Sequence, residues 1–133
     1  MQRYLPLIGR VLLALIFLLS GVGKIGDFAG TQEYMAAAGM PMTALLLVGA
    51  IVLEIVGALS IMLGFKAKLG AVALLLFLIP ATLIFHTDFA DQVQMIMFMK
   101  NLSIFGGLLL VVGFGAGPLS LDERAEKRHA RPA

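Results

Sequence analysis

The sequence predicts an all-α fold: an integral membrane four-helix bundle with a short interfacial helix between its first two spans. Three observations predict it. Of the 133 residues, 60% are hydrophobic and the mean hydropathy is +0.99, where a soluble domain is roughly 45–50% apolar on a looser count. The apolar residues gather into four runs, each near the ~20 residues that cross a ~30 Å hydrocarbon core. Eight of the ten Lys and Arg residues lie in segments that an even number of crossings places on one side.

The first span runs from Leu5 to Lys24. Its apolar stretch, Val11 to Leu19, has the length of a signal-peptide core, and Ser20-Gly21 has the small residues of a cleavage site. Spread charges at Arg3 and Arg10 and three further spans favour an uncleaved helix. The second span, Thr43 to Leu63, holds Glu54 as its only charge. The third, Leu69 to Phe85, contains Pro80, which frees the Leu76 carbonyl and favours a kink. The fourth runs from Ile96 to Ala116 and includes Lys100 and Asn101 in its first turns.

Between the first two spans, Thr31 is the expected cap of a helix over Gln32 to Ala38, stopped by Gly39 and Pro41. This helix suits the membrane interface, with Tyr34 and Met35 turned to its surface. The loop from Thr87 to Gln94 is short and acidic. Residues 1–121 thus form one four-span domain. Residues 122–133 form a charged tail without apolar periodicity, expected to be disordered. Arg3, Arg10, Lys66, Lys68, Arg124, Lys127, Arg128 and Arg131 all fall on one side, so the positive-inside rule places both termini in the cytoplasm.

Each span carries an ionisable residue, and a charge at membrane depth costs about 2.5–3.5 kcal/mol on insertion scales. Helical spacing puts each on a stripe of small or hydroxyl residues. The stripes are Arg10, Ala14, Phe17, Gly21 and Lys24; Ala50, Glu54, Gly57 and Ala58; Thr82 and His86; and Lys100, Ser103 and Gly107. Such stripes suit helix contacts in lipid. The alternative is that the cations at Lys24 and Lys100 snorkel outward. Glu54 is too short to snorkel. With Arg10 ~7 Å and Glu54 ~15 Å from the cytoplasmic end, the expectation is an Arg10–Glu54 ion pair of structural character. Lys24, His86, Lys100 and Asn101 fall near the outer ends of their helices. They form a candidate cationic pocket, rimmed by Asp27 and Asp88, for a small anion or a quinone carbonyl, with His86 as the natural proton donor.

The chain has no cysteine, which excludes disulfides, thiol catalysis and cysteine-ligated clusters within it. Its second histidine, His129, lies in the tail, so one copy cannot supply two membrane histidines to a haem. No metal site is expected. The net charge of +2 orients a membrane protein and calls for no nucleic acid. Lys24-Ile-Gly-Asp27-Phe28-Ala29 and His86-Thr-Asp88-Phe89-Ala90 echo each other at the ends of the two hairpins, as in a repeat about the membrane normal.

Several segments, in order, carry a resemblance over nearly the whole chain. They are the Arg10 span ending Ser20-Gly21-Val22-Gly23-Lys24, then Phe28-Ala29-Gly30-Thr31, Tyr34-Met35 and Gly39-Met40-Pro41. Leu53-Glu54 before Gly57, Leu63-Gly64-Phe65 and Phe85-His86 follow. Phe98-Met99-Lys100-Asn101-Leu102 with Gly106-Gly107, and Leu119-Ser120-Leu121-Asp122, complete the set. The chain resembles the DoxX family of small bacterial inner-membrane proteins. The resemblance implies a four-helix membrane protein and motif matches at Arg10, Lys24, Glu54, His86, Lys100 and Asn101, with no catalytic set attached to them. It also implies an association with quinol oxidation, thiosulfate:quinone oxidoreduction, or thiol and oxidative-stress systems.

Three functions compete. One is a redox-associated accessory subunit that binds quinone, quinol or a small anion beside a partner subunit or a second copy. It would have no covalently bound cofactor and, as an oxidoreductase subunit, no self-contained catalytic motif. The second is a scaffold that anchors a partner through the tail. The third is a solute or proton pathway, which the apolar run from Ala67 to Leu78, polar only at Lys68, disfavours.

Overall fold

The computed structural model describes residues 1–132. It is all helical: α1 (Tyr4–Gly26), α2 (Phe28–Ala37), α3 (Thr43–Leu63), α4 (Ala67–Phe85), α5 (Gln92–Phe114) and α6 (Leu121–His129). Helices α1, α3, α4 and α5 have 23, 21, 19 and 23 residues and are long and apolar enough to cross a membrane. At 1.5 Å per residue the shortest is ~28 Å long.

Helix α1 packs along α3, α3 along α4 and α4 along α5. Helices α1 and α5 meet only briefly, where Leu13 lies over Gly107. The core between them is built from Ala14, Phe17, Ala58, Ile61, Ala71, Leu74, Leu78, Leu108 and Val111. Small residues set the approach. A methyl group on Gly57 would meet Leu74 at 2.7 Å, and one on Gly21 would meet Ile55 at 2.7 Å. Large apolar side chains such as Leu12, Leu45, Val56, Leu76 and Leu110 remain exposed around the bundle. A soluble monomer rarely shows so much apolar surface, and lipid accommodates it.

The buried residues of α1 are Arg10, Ala14, Phe17 and Gly21, the stripe expected from spacing. Glu54, Gly57 and Ala58 are likewise buried on α3. Helix α5 differs. Lys100 and Ser103 are exposed, and the inward residues are Asn101, Leu108 and Val111. A neutral amide finds a partner inside, whereas an unpaired ammonium does not, so the helix turns Asn101 in and Lys100 out.

Two helix starts differ most from expectation. The fourth span begins at Gln92, with Asp91 accepting from the Val93 N–H at 2.9 Å. Helix α2 begins four residues early because Asp27, not Thr31, caps it. The Asp27 carboxylate accepts from the Gly30 N–H at 3.2 Å, and the Thr31 hydroxyl donates back to the Asp27 carbonyl. Its other end follows the expected glycine stop. Gly39 has φ +82°, the Gly39 N–H donates to the Ala36 carbonyl and the Met40 N–H to Met35, the paired bonds of a Schellman motif.

The tail is the largest departure. The tail was expected to be disordered over residues 122–133, and its first part is helical, within α6 (Leu121–His129). Ser120 Oγ accepts from the Glu123 N–H at 3.1 Å, and Glu123 reaches back to the Leu119 N–H at 3.0 Å. Lys127 pairs with Glu123 at 2.8 Å. These are capping-box and i,i+4 interactions, which stabilise a helix without an apolar face. Asp122 then ties the segment to the bundle. Its carboxylate accepts from the Lys66 and Ala67 N–H groups at 2.7 and 3.0 Å, so the tail caps α4. The Asp122 N–H donates to the Gly64 carbonyl at 2.8 Å.

Candidate functional site

The polar groups inside the bundle form three clusters. The first lies between α1 and α3. Lys24 Nζ donates to both Glu54 oxygens at 2.9 and 3.1 Å and to Ser20 Oγ at 2.6 Å. Ser20 Oγ itself donates to Glu54 Oε1 at 3.0 Å. Glu54 is 3% exposed. This triad satisfies a carboxylate that lipid would otherwise leave bare.

The expected Arg10–Glu54 pair is therefore not formed. The reason is register. Gly21 packs on Glu54 and Ile55, and Arg10 lies eleven residues before Gly21, roughly 16 Å down the helix. Lys24 is one turn above Gly21, within reach of Glu54. The expectation had measured both helices from a common plane, but α3 extends past the end of α1 and is flanked there by α2.

Arg10 is the second cluster. It is 4% exposed and lies at the end of the bundle that holds both termini. Its Nη2 donates to the Leu119 carbonyl at 3.0 Å, while Nε and Nη1 have no partner among the described residues. Gly64, at φ +65°, leaves the space that the guanidinium occupies. A methyl group there would overlap Arg10 Nη1 and the Ser120 Cβ.

The third cluster lies between α4 and α5, toward the end of the bundle away from the termini. Asn101 is 8% exposed, and its Nδ2 donates to Thr82 Oγ1 at 3.0 Å. The Thr82 hydroxyl donates to the Leu78 carbonyl at 2.7 Å. The remaining amide N–H and the carbonyl oxygen of Asn101 have no partner among the described residues. Asn101 and Thr82 are the polar lining of a cleft of about 190 Å³ whose other walls are Leu78, Ile79, Leu83, Phe98, Leu102 and Phe105.

Above this cleft, His86 follows α4 one turn beyond Thr82. Its Nδ1 is buried without a partner. Burial, and then the charge of Lys100, hold the His86 imidazole below its ordinary pKa. Tyr34 of α2 stacks on Phe85 with ring centres 5.0 Å apart, covering this end of α4.

Three of the four residues expected to form an outer pocket, His86, Lys100 and Asn101, thus share the α4–α5 end. Lys24 belongs to the buried triad with Glu54. Asp27 is occupied in capping α2. Sequence reasoning missed the partner of Asn101: Thr82 had been placed on the His86 stripe, without a register to align it with α5. It also missed Asp122, whose trans cap follows no local spacing.

A DoxX family model matches residues 5–87. Inner membrane protein YqjF of Escherichia coli (strain K12) is 42% identical over 122 residues, covering 92% of each chain. Inner membrane protein YphA of the same organism is 39% identical over 125 residues, covering 90% of this chain and 89% of that one. ER-derived vesicles protein ERV29 of Saccharomyces cerevisiae is 37% identical over 79 residues, which cover 56% of this chain and 26% of that protein. No solved structure matches. With four membrane-length helices and a family match over most of its length, the chain belongs to the DoxX family of membrane proteins.

Proposed function

We propose that the chain is an accessory subunit of the bacterial inner membrane that binds a quinone or quinol ring in the α4–α5 cleft beside a redox partner. The observation that carries this reading is Asn101. Its amide is buried at an apolar cleft, held by Thr82, with one donor and one acceptor left for a ligand. An oxidised ring offers a carbonyl to the spare N–H, and a reduced ring offers a hydroxyl to the spare oxygen. A cavity of about 150 Å³ admits benzene, so about 190 Å³ suits one substituted ring, with an isoprenoid tail passing out to lipid. His86, one turn above, is the nearest titratable group on α4.

The inner-membrane relatives support the location. The cationic ends near the termini support cytoplasmic N- and C-termini, which places the cleft toward the outer leaflet.

The test is a titration of the purified chain in lipid nanodiscs with a short-tailed ubiquinone analogue, followed through the backbone amide resonances of Thr82 and Leu102, which line the cleft in wild type and variant alike. Saturable shifts are expected in the wild type. Asn101→Leu should weaken binding by about tenfold, the equivalent of one lost buried hydrogen bond. A wild type without saturable binding, or an Asn101→Leu variant that binds equally well, overturns the reading.

A further inference from the structure

A second cavity, of about 490 Å³, lies at the opposite end of the molecule, lined by residues of α6, the start of α1 and the end of α3. Its walls divide by chemistry. Leu7, Met62 and Leu63 belong to the spanning helices, while Arg3, Arg124 and Lys127 stand beyond them with Glu123. Glu123 is already neutralised, pairing with Lys127 at 2.8 Å and accepting from the Leu119 N–H at 3.0 Å. Arg3 and Arg124 have no side-chain partner among the described residues. Behind the wall, Arg10 holds the Leu119 carbonyl, and the charge of Asp122 faces that of Arg10. The cavity thus keeps a net excess of two cations above an apolar floor.

We propose that this cavity is a binding site for an anionic phospholipid, with its phosphate between Arg3 and Arg124 and its acyl chains along Leu7, Met62 and Leu63. The order of the lining residues matches a lipid from headgroup to tail. A free phosphate would use only the upper half. Basic pockets at helix ends are suited to anionic headgroups because each cation near the surface adds attraction and the apolar wall excludes water. The site also explains why the tail is held against the bundle. Ser120 and Asp122 fix α6 so that Arg124 and Lys127 stand over the ends of α1 and α3.

The experiment is native mass spectrometry of the full chain released from zwitterionic detergent, with phosphatidylglycerol and phosphatidylcholine titrated separately. One phosphatidylglycerol is expected to bind at about tenfold lower concentration than phosphatidylcholine. The double variant Arg3→Gln with Arg124→Gln should remove that preference. Both residues are exposed and make no side-chain hydrogen bond, so the contacts of the fold stay in place. The double variant Arg128→Gln with Arg131→Gln removes the same charge from outside the cavity and should keep the preference. Three results would each overturn the proposal: equal binding of the two lipids, equal loss in the two double variants, or displacement of phosphatidylglycerol by millimolar inorganic phosphate. The last would assign the site to a free anion.

Discussion

The α1–α3 seam and the α4–α5 seam both bury polar side chains, and they treat them in opposite ways. Between α1 and α3, Lys24, Glu54 and Ser20 satisfy one another, and Gly21 brings the helices into close contact. Between α4 and α5, among the described residues, Asn101 has one side-chain partner, His86 Nδ1 has none, and a cleft remains. A closed polar network specifies packing. An open one beside a cavity has capacity left for a ligand. By this contrast the charge deepest in the membrane is the structural one, and the neutral amide nearer the end is the functional candidate.

The contrast breaks most directly at the ion pair. Lys24→Met leaves Glu54 buried and unpaired, and loss of one partner of a buried pair costs about 3–5 kcal/mol. The double variant Lys24→Met with Glu54→Leu removes both charges and should recover most of that loss. Thermal unfolding in nanodiscs checks it. A double variant as unstable as Lys24→Met would show that the triad does more than hold α1 to α3.

Next in size is the terminal end, where Gly64 makes room for Arg10. Gly64→Ala forces a methyl group into the left-handed region and against Arg10 Nη1 and Ser120. The two penalties together come to about 2–5 kcal/mol. Hydrogen exchange should show residues 121–129 opening first, because Asp122 is held through the Gly64 carbonyl and the adjacent Lys66 and Ala67 N–H groups. Unchanged protection of α6 would mean that the tail is held by its own capping alone.

A smaller effect sharpens the contrast from the other seam. Thr82→Val removes the partner of Asn101 Nδ2 while keeping the side-chain shape. The expected cost is about 1–2 kcal/mol. The freed amide should also lose its fixed orientation, so affinity for the quinone analogue should fall with stability. A variant that loses stability and keeps affinity would place the ligand away from Asn101.

The spans were legible because membrane crossing leaves a one-dimensional signal, and the inward face of α1 was legible because glycine and alanine recur at helical spacing. The Lys24–Glu54 partnership was not. It depends on how far α3 slides along α1, and that offset is set by the α2 segment and by Gly21 fitting against Ile55. Helix α5 misled for a related reason: Lys100 and Asn101 are neighbours pointing about 100° apart, and only the position of Thr82 on α4 decides which one faces in. The tail helix is written in Ser120-Leu-Asp-Glu123, a capping signal that carries no apolar period. Local capping was thus readable in principle, while helix register was not.

The finest probe of the open seam is the titration of His86. Its pKa lies below the ordinary histidine value, first because of burial and second because of the charge of Lys100. A base with a lowered pKa in the folded state favours the folded state when neutral. That stabilisation is present above the unfolded value near 6.5 and is lost as pH falls through the folded pKa. Lys100→Gln removes the smaller of the two causes and should move the His86 midpoint upward by a modest amount, read from its ring C–H resonances in nanodiscs. Because burial remains, the midpoint should stay below the ordinary histidine value near 6.5. If Lys100→Gln restores His86 to the value of an exposed histidine, burial at the α4–α5 end is slight. The seam would then be open to water, leaving no dry cleft in which the amide of Asn101 could select a lipophilic ring.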